Sequence, residues 1–190
     1  MSNVNEAELI SGLRQGDELA FRWLVNSLSH RIHHTVLNIV QDRDDAEDVL
    51  QETFIQVHGS IVSFKGDSKL STWVQKIAIR KALEKLRKRK TRQRLHAIIP
   101  WWMPEEKRSI DVVEMNPGIA AENKEKATAM YRAIGQLPEK QQLAFTLIRI
   151  QGMKYEEATE IMGLGIKAIE SLVSRAKENL KKNLEQYYNQ

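Results

Sequence analysis

The chain has 190 residues, of which 42% are hydrophobic, and it contains no cysteine. This composition supports one domain or two small ones with a real core, and it excludes disulfides and thiol-based zinc or redox chemistry. Because the N-terminus lacks a signal-peptide pattern and no stretch approaches the ~20 apolar residues of a membrane span, we expect a cytoplasmic protein.

The net charge of +4 conceals a reversal of sign along the chain. Residues 1–60 hold 4 basic and 10 acidic side chains, whereas residues 61–100 hold 12 basic and 2 acidic ones. Such a reversal is typical of a protein with two different partners. The basic segment suits nucleic acid, anionic lipid or an acidic protein.

Residues 1–95 are predicted to form a first domain that begins with two helices. A short helix from Glu6 to Gln15 ends at Gly16, and a longer one from Asp17 to Val40 has apolar residues on one face. His30 and His34 on this second helix are one turn apart. No further ligand has a matching spacing, so ordinary partly buried histidines are favoured over a metal site.

The third predicted helix is acidic. It is capped by Asp42 or Asp44, ends near Ile61, and carries Asp48 and Glu52 opposite its apolar face. Like charges one turn apart destabilise a helix by about 0.2–0.5 kcal/mol per pair. The helix dipole explains acids in the first turn but not two turns in, and both a solvated face and a basic partner remain open.

A loop over residues 59–71 precedes a fourth, basic helix. Thr72 and Gln75 fit a capping box, which predicts that this helix begins at Thr72. A loop with Phe64 beside a basic helix with Trp73 has the composition of a surface that holds the phosphates of a strand and stacks its bases. The alternative is that the basic residues only complement the helix dipole.

Residues 96–120 break the helical pattern with prolines and predict a linker. An apolar cluster inside it is expected to pack on a flanking domain or on a partner. The sequence does not assign a role to the two tryptophans. The cluster consists of Ile98, Ile99, Trp101, Trp102 and Met103.

Residues 121–190 are predicted to form a second helical domain. Its last part has a short helix from Tyr155 to Met162, a turn at 163–165, and a long helix from Ile166 to about Leu184 with one apolar stripe. This pattern is typical of a helix-turn-helix, whose second helix enters the major groove, and the alternative is an ordinary helical hairpin. The predicted fold is therefore all-α, with two small helical domains joined by a linker.

Four motifs carry a family resemblance. They are DAEDVLQETF at 45–54, FKGDSKLSTW at 64–73, LPEKQ at 137–141 and YEEATEIMG at 155–163. In this order and spacing they resemble a bacterial RNA polymerase sigma factor of the extracytoplasmic-function (ECF) subfamily. The resemblance implies no enzyme activity and no cofactor. It implies binding to core RNA polymerase and promoter DNA, melting of the −10 element, and inhibition by an anti-sigma factor.

The resemblance also assigns residues to three surfaces. Core RNA polymerase would bind Asp48, Gln51 and Glu52. The −10 element would bind Phe64, Lys65, Gly66, Asp67, Ser68, Lys69, Trp73, Lys76, Arg80 and Arg87. The −35 element would bind Lys167, Ser171, Ser174, Arg175 and Lys181.

Some positions depart from the family pattern. Arg80 stands where asparagine is usual, and Glu170 and Leu172 stand where lysine and arginine are common. We therefore expect weak −35 binding by the isolated second domain. Two other functions compete with the sigma interpretation. A helix-turn-helix regulator would bind duplex DNA without polymerase, and an enzyme using the histidines would lack any recognisable phosphate loop or nucleophile–base pair.

Overall fold

The computed structural model describes residues 5–96 and 121–188, and within these ranges the chain forms helices and no strand. The predicted all-α class is confirmed. The first part contains α1 (Glu6–Arg14), α2 (Glu18–Val40), α3 (Arg43–Ser60), a 3₁₀ turn (Ile61–Ser63) and α4 (Leu70–His96). The second part contains α5 (Ala121–Gly135), α6 (Glu139–Phe145) with a π-helical extension (Thr146–Ile150), α7 (Tyr155–Met162) and α8 (Ile166–Tyr188).

Helices α2 and α3 begin at aspartates that bind free backbone N–H groups of the first turn. The side chain of Asp17 accepts from the backbone nitrogen of Leu19 at 2.8 Å, and that of Asp42 accepts from the nitrogen of Asp45 at 3.0 Å. Such caps satisfy donors that the helix itself leaves unpaired. Of the two predicted caps of α3, the structure therefore selects Asp42 over Asp44.

The predicted start of α4 is wrong. The helix begins at Leu70, where the backbone nitrogen donates to Oε1 of Glu6 at 2.7 Å. Thr72 is buried, and the amide of Gln75 donates to the hydroxyl of Thr35 at 3.2 Å instead of closing a capping box. A carboxylate from α1 thus caps the start of α4, whereas the sequence pattern had predicted a cap from neighbouring side chains.

Helices α2, α3 and α4 pack against one another around a buried apolar core. Small and β-branched side chains dominate the fully buried positions, which lets the three helices approach closely. Five of these positions are Val36, Val40, Val57, Val74 and Ala82.

The same core continues into the second part of the chain. Leu147, Ala158 and Ile169 are fully buried and belong to the cluster formed by the first domain. A smaller cluster around Phe145 and Leu180 lies between α5, α6 and α8. The two helical parts are therefore packed together, with α2 against α5 and α4 against α7.

The predicted short helix, turn and start of the long helix are confirmed, and the long helix runs to Tyr188, four residues beyond its predicted end. Helix α7 ends at Met162, Gly163 adopts a left-handed φ of 65°, and α8 begins at Ile166. A left-handed residue just after a helix favours glycine because it has no Cβ. The predicted linker with Trp101 and Trp102 lies outside the described residues. Among the helices of residues 5–96 and 121–188, none has the length and apolar character that crossing a membrane requires.

Candidate functional site

The acidic side chains of α3 face the basic side chains of α4. Lys81 Nζ lies 3.2 Å from a carboxylate oxygen of Glu52, and Lys85 Nζ lies 3.1 Å from one of Asp48 and 3.2 Å from one of Asp45. Hydrogen bonds to Asp48 and Asp45 raise the pKa of Lys85. The reversal of charge along the sequence thus brings two oppositely charged helices side by side.

These ion pairs leave the acidic face accessible. The side chain of Asp48 is 61% exposed and that of Glu52 is 57% exposed, and Gln51 between them is exposed as well. Exposed ion pairs contribute at most about 1 kcal/mol each. The carboxylates can therefore exchange a lysine of α4 for a basic group of a partner at little cost.

The loop between the 3₁₀ turn and α4 presents a set of polar side chains to solvent. Lys65, Asp67 and Lys69 are exposed, and Ser68 is partly exposed. Gly66 between them has a φ of 82°, a left-handed conformation that turns the loop without steric cost for glycine. Two cations and one carboxylate therefore share one tight turn.

Phe64 occupies a different environment from the one predicted. Its side chain is only 4% exposed and lies against Trp73, with 5.2 Å between the ring centroids. A ring buried in this way cannot stack on a base. Phe64 therefore anchors the loop, and Trp73, which is partly exposed, is the aromatic side chain that remains accessible beside it.

The basic face of α4 is exposed but carries counter-charges from the same chain. Arg80 pairs with Glu84 at 3.0 Å, and Arg87 pairs with Glu139 of α6 at 2.7 Å. The hydrogen bond that Arg87 donates to the Glu139 carboxylate raises the pKa of Arg87. Lys76 lies partly buried on the same helix.

The five polar residues predicted on the final helix are all exposed. Ile169 and Val173 are buried on the opposite side of α8 and fix its orientation against α7. Lys181 pairs with Glu185 one turn further on, at 3.7 Å. The exposed residues are Lys167, Ser171, Ser174, Arg175 and Lys181.

The sequence did not predict which donors bind the carbonyl oxygens at the C-terminal end of α2. The last carbonyl groups of a helix have no partner within it. Here the hydroxyl of Tyr131 donates to the carbonyl of Leu37 at 2.7 Å, and Nε2 of Gln142 donates to that of Asn38 at 2.7 Å. Arg89 donates to the carbonyl of Val40 at 2.5 Å. Two of these three donors belong to the second domain.

The histidines of α2 lie close together. The rings of His30 and His34 stack with 6.2 Å between their centroids. Burial lowers the pKa of His33 and of His34. Within the described part of the chain, no group of three or more histidine, aspartate or glutamate side chains has a geometry that could hold a metal ion.

Two family models match this chain. Residues 24–92 match the model described as Sigma-70 region 2, and residues 127–180 match the one described as Sigma-70, region 4. The first range contains the acidic face, the loop and most of α4. The second contains the helix-turn-helix. The matches therefore cover all of the residues to which the sequence assigned binding roles except Lys181, which lies one position beyond the second match.

Curated relatives extend the similarity over almost the whole chain. The RNA polymerase sigma-H factor of Pseudomonas aeruginosa is 29% identical over an alignment of 196 residues, gaps included, that covers 97% of this chain and 96% of that protein. The ECF RNA polymerase sigma-E factor of Haemophilus influenzae is 29% identical over 187 residues, with 96% of each chain covered.

Solved structures show the same fold. The sigma factor RpoE of Bartonella quintana, in complex with the anti-sigma factor NepR, has a TM-score of 0.65 at 24% identity and covers 87% of this chain and 96% of its own. CnrH, in complex with the cytosolic domain of CnrY, has a TM-score of 0.69 at 20% identity and covers 95% and 97%.

Paired region 2 and region 4 domains define a sigma factor, and the chain belongs to the sigma-70 family of non-catalytic transcription initiation factors. Its full-length similarity to the sigma-H and sigma-E proteins assigns it to the ECF group. It binds RNA polymerase core enzyme and directs it to specific promoters.

Proposed function

We propose that this ECF sigma factor docks on core RNA polymerase through Asp48, Gln51 and Glu52. The observation that carries the proposal is the exposure of this stripe of α3, with carboxylates that are 61% and 57% accessible. A basic surface of the polymerase would take over these carboxylates from Lys81 and Lys85. Because exposed pairs are weak, the exchange costs little.

The loop before α4 is proposed to capture an unpaired base of the −10 element. Lys65 and Lys69 would hold the phosphates of the strand, and Asp67 would accept a hydrogen bond from an exocyclic amine. Trp73 offers a partly exposed ring beside them. Binding an extruded base offsets an unstacking cost of a few kcal/mol, so this surface could melt the −10 element without ATP.

The basic face of α4 would then hold the single strand. Lys76, Arg80 and Arg87 follow one another along the helix away from the loop, and a strand leaving the captured base would run past them. Arg80 and Arg87 carry ion pairs with Glu84 and Glu139. The strand's phosphates would displace these carboxylates.

The exposed side of α8 is proposed to read the −35 element in the major groove. Lys167, Ser171 and Ser174 lie toward the N-terminal half of α8, the part of a recognition helix that contacts base edges. Arg175 and Lys181 lie further along and suit the phosphate backbone.

Promoter binding is proposed to separate the two domains. Lys69 of the loop lies 3.6 Å from a carboxylate oxygen of Glu157 on α7, and Arg87 pairs with Glu139 on α6. Both cations belong to the proposed −10 surface, and both carboxylates belong to the second domain. A strand bound to the −10 surface would take the place of these two carboxylates.

An anti-sigma factor is a further proposed partner. The RpoE neighbour was solved with an anti-sigma factor, which supports the same kind of partner for this chain. It would act by covering the acidic stripe of α3 and the basic face of α4 in the cytoplasm. If an anti-sigma factor acts in this way, adding it should prevent the protein from binding core RNA polymerase.

The docking assignment is tested by mixing the protein with bacterial core RNA polymerase and analysing the mixture by gel filtration. The double variant Asp48→Lys, Glu52→Lys should no longer co-elute with core. A matched control, Glu8→Lys with Glu18→Lys, makes the same change of net charge at exposed positions outside α3. It should co-elute as the unmodified protein does. Co-elution of both variants would refute the docking assignment.

A further inference from the structure

Helix α1 holds both ends of the loop that precedes α4. Nη2 of Arg14 donates to the carbonyl of Phe64 at 2.6 Å, where the loop begins. Oε1 of Glu6 accepts from the backbone nitrogen of Leu70 at 2.7 Å, where the loop ends and α4 starts. Two charged side chains of one helix thus bind the backbone on either side of the loop.

Buried residues anchor the two segments that these hydrogen bonds join. Leu9 and Leu13 lie between Glu6 and Arg14 on α1 and are buried in the core of the first domain. Phe64 and Leu70 are buried as well, at 4% and 2% exposure. The backbone of α1 and the backbone at both ends of the loop are therefore held in place by buried residues.

Both hydrogen bonds are of a strong kind because each has a charged partner. The carboxylate of Glu6 also lies at the N-terminus of α4, where negative charge complements the helix dipole. Between these two ends, the loop has one ion pair to the second domain, from Lys69 to Glu157 at 3.6 Å. Among its described side chains, Ser68 makes one weak hydrogen bond to the adjacent carbonyl of Lys69, at 3.5 Å. The conformation of the loop between Phe64 and Leu70 therefore depends on where α1 holds its two ends.

From this geometry we infer that Glu6 and Arg14 are positioning residues for base capture by the loop. The inference rests on the proposed role of the loop in binding the −10 strand. Because Glu6 and Arg14 fix the separation and direction of the two ends of the loop, they also set the distances among the side chains of Lys65, Asp67 and Lys69. A displacement of about 1 Å is enough to lower the efficiency of a geometrically demanding site by about 10²-fold.

A positioning role of Glu6 and Arg14 differs from a purely stabilising one in its effect on base preference. If the two side chains only stabilised the fold, their loss would weaken binding to all DNA sequences equally. If they set the shape of the loop, their loss would weaken the preference for one base over the others while the protein remains folded. Sequence discrimination is therefore the decisive measurement.

The experiment uses the full-length chain assembled with core RNA polymerase. Single-stranded DNA with a randomised central segment is bound by the holoenzyme, and the retained strands are sequenced. The variants are Arg14→Ala, Glu6→Ala and Glu6→Gln. The control is Arg22→Ala, which removes an exposed arginine of the same domain whose nearest carboxylate, that of Glu18, is 3.9 Å away. Core binding and thermal unfolding are measured in parallel.

We expect Arg14→Ala and Glu6→Ala to lower the preference at the captured position by about tenfold, the lower end of the effect of one lost hydrogen bond to a charged group. Core binding should not change. Glu6→Gln retains an oxygen that accepts from the nitrogen of Leu70 and should recover most of the preference. Arg22→Ala should behave as the unmodified protein.

Two outcomes would overturn the inference. One is an unchanged base preference in both alanine variants, and the other is an equal loss of binding to every strand. Asp67→Ala, in the loop itself, distinguishes the inference from the proposed function beneath it. If Asp67→Ala also leaves the preference unchanged, the loop is not the reader and the proposed −10 site fails. If Asp67→Ala changes the base preference and the α1 variants do not, the loop still reads the base, and only the positioning role of α1 is refuted.

Discussion

Nε2 of Gln142 donates a hydrogen bond to the carbonyl oxygen of Asn38 at 2.7 Å, so a side chain of the second domain caps a helix of the first. The residues are 104 positions apart, and the bond is buried. Tyr131 repeats the arrangement at the carbonyl of Leu37. Burial raises the pKa of Tyr131, and its hydroxyl therefore remains a donor well above neutral pH.

Gln142→Ala should loosen the contact between the domains. The variant removes a donor from a buried carbonyl and should weaken the contact by about 1–2 kcal/mol, which shifts the ratio of closed to open chains about tenfold. Because the natural chain has no cysteine, dyes can be attached through Gln56→Cys on α3 and Glu178→Cys on α8. Energy transfer between them should decrease.

Gln141→Ala is the matched control for this measurement. The side chain of Gln141 accepts from the amide of Asn179 at 2.8 Å and so bonds within the second domain only. Energy transfer in this variant should equal that of the unmodified chain. A decrease of the same size in both variants would show that the signal reports the second domain and not the contact.

Phe64→Ala should destabilise the first domain and not act on DNA alone. Truncating a buried phenylalanine costs about 3–5 kcal/mol through lost burial and the cavity that remains. Denaturant unfolding followed by circular dichroism would measure the loss. Asp67→Ala in the same loop is exposed and should change the free energy of unfolding by less than about 0.5 kcal/mol. Equal stabilities of the two variants would contradict the burial of Phe64.

Sequence patterns predicted those parts of the fold that depend on neighbouring residues. The spacing of apolar residues predicted the helices, and the positions of aspartate and glycine predicted most of the helix ends. Asp17 caps the start of α2 and Gly163 ends α7, as the sequence pattern predicted. Caps and turns involve side chains within a few positions of one another, and a single sequence displays such neighbours directly.

Features set by distant residues were not predictable in this way. The start of α4 depends on Glu6, which is 64 positions away from Leu70, and the local capping pattern at Thr72 suggested a different boundary. Phe64 was predicted to face a base because an aromatic residue in a polar loop has the same sequence signature whether it is exposed or buried. Only tertiary packing against Trp73 distinguishes the two cases.

Exchanging the charges of Glu52 and Lys81 should abolish core binding without loss of stability. The swap Glu52→Lys, Lys81→Glu keeps the ion pair, at 3.2 Å in the natural chain, but reverses the charge presented on α3. If docking uses the carboxylate of Glu52, the swap variant should not co-elute with core RNA polymerase. Its free energy of unfolding should stay within about 1 kcal/mol of the original, since the swap keeps a surface ion pair whose carboxylate is 57% exposed.

The single variant Lys81→Glu completes the comparison. It breaks the same pair but leaves the carboxylate of Glu52 in place and free of its lysine. Core binding should therefore persist, in contrast to the swap. Loss of binding in Lys81→Glu as well would indicate that the positive charge at position 81 is needed, because both variants lack it.

Stability of the first domain should fall as the pH is lowered through the histidine range. Burial lowers the pKa of His33 and of His34 below the ordinary value of 6.5, with neighbouring cationic groups adding to the effect. The unfolded chain then binds protons at a higher pH than the folded one. The stability that neutral imidazoles provide is complete above about pH 6.5 and is lost as the pH falls toward their folded-state pKa values.

Denaturant unfolding from about pH 8 to about pH 5 would measure this loss. Replacing both side chains, His33→Gln with His34→Gln, should flatten the dependence in this range, because glutamine does not titrate. Nearby Glu47 raises the pKa of His33 and so opposes burial there. We therefore expect His34→Gln alone to flatten the curve more than His33→Gln alone. An unchanged slope in the double variant would assign the pH dependence to other groups.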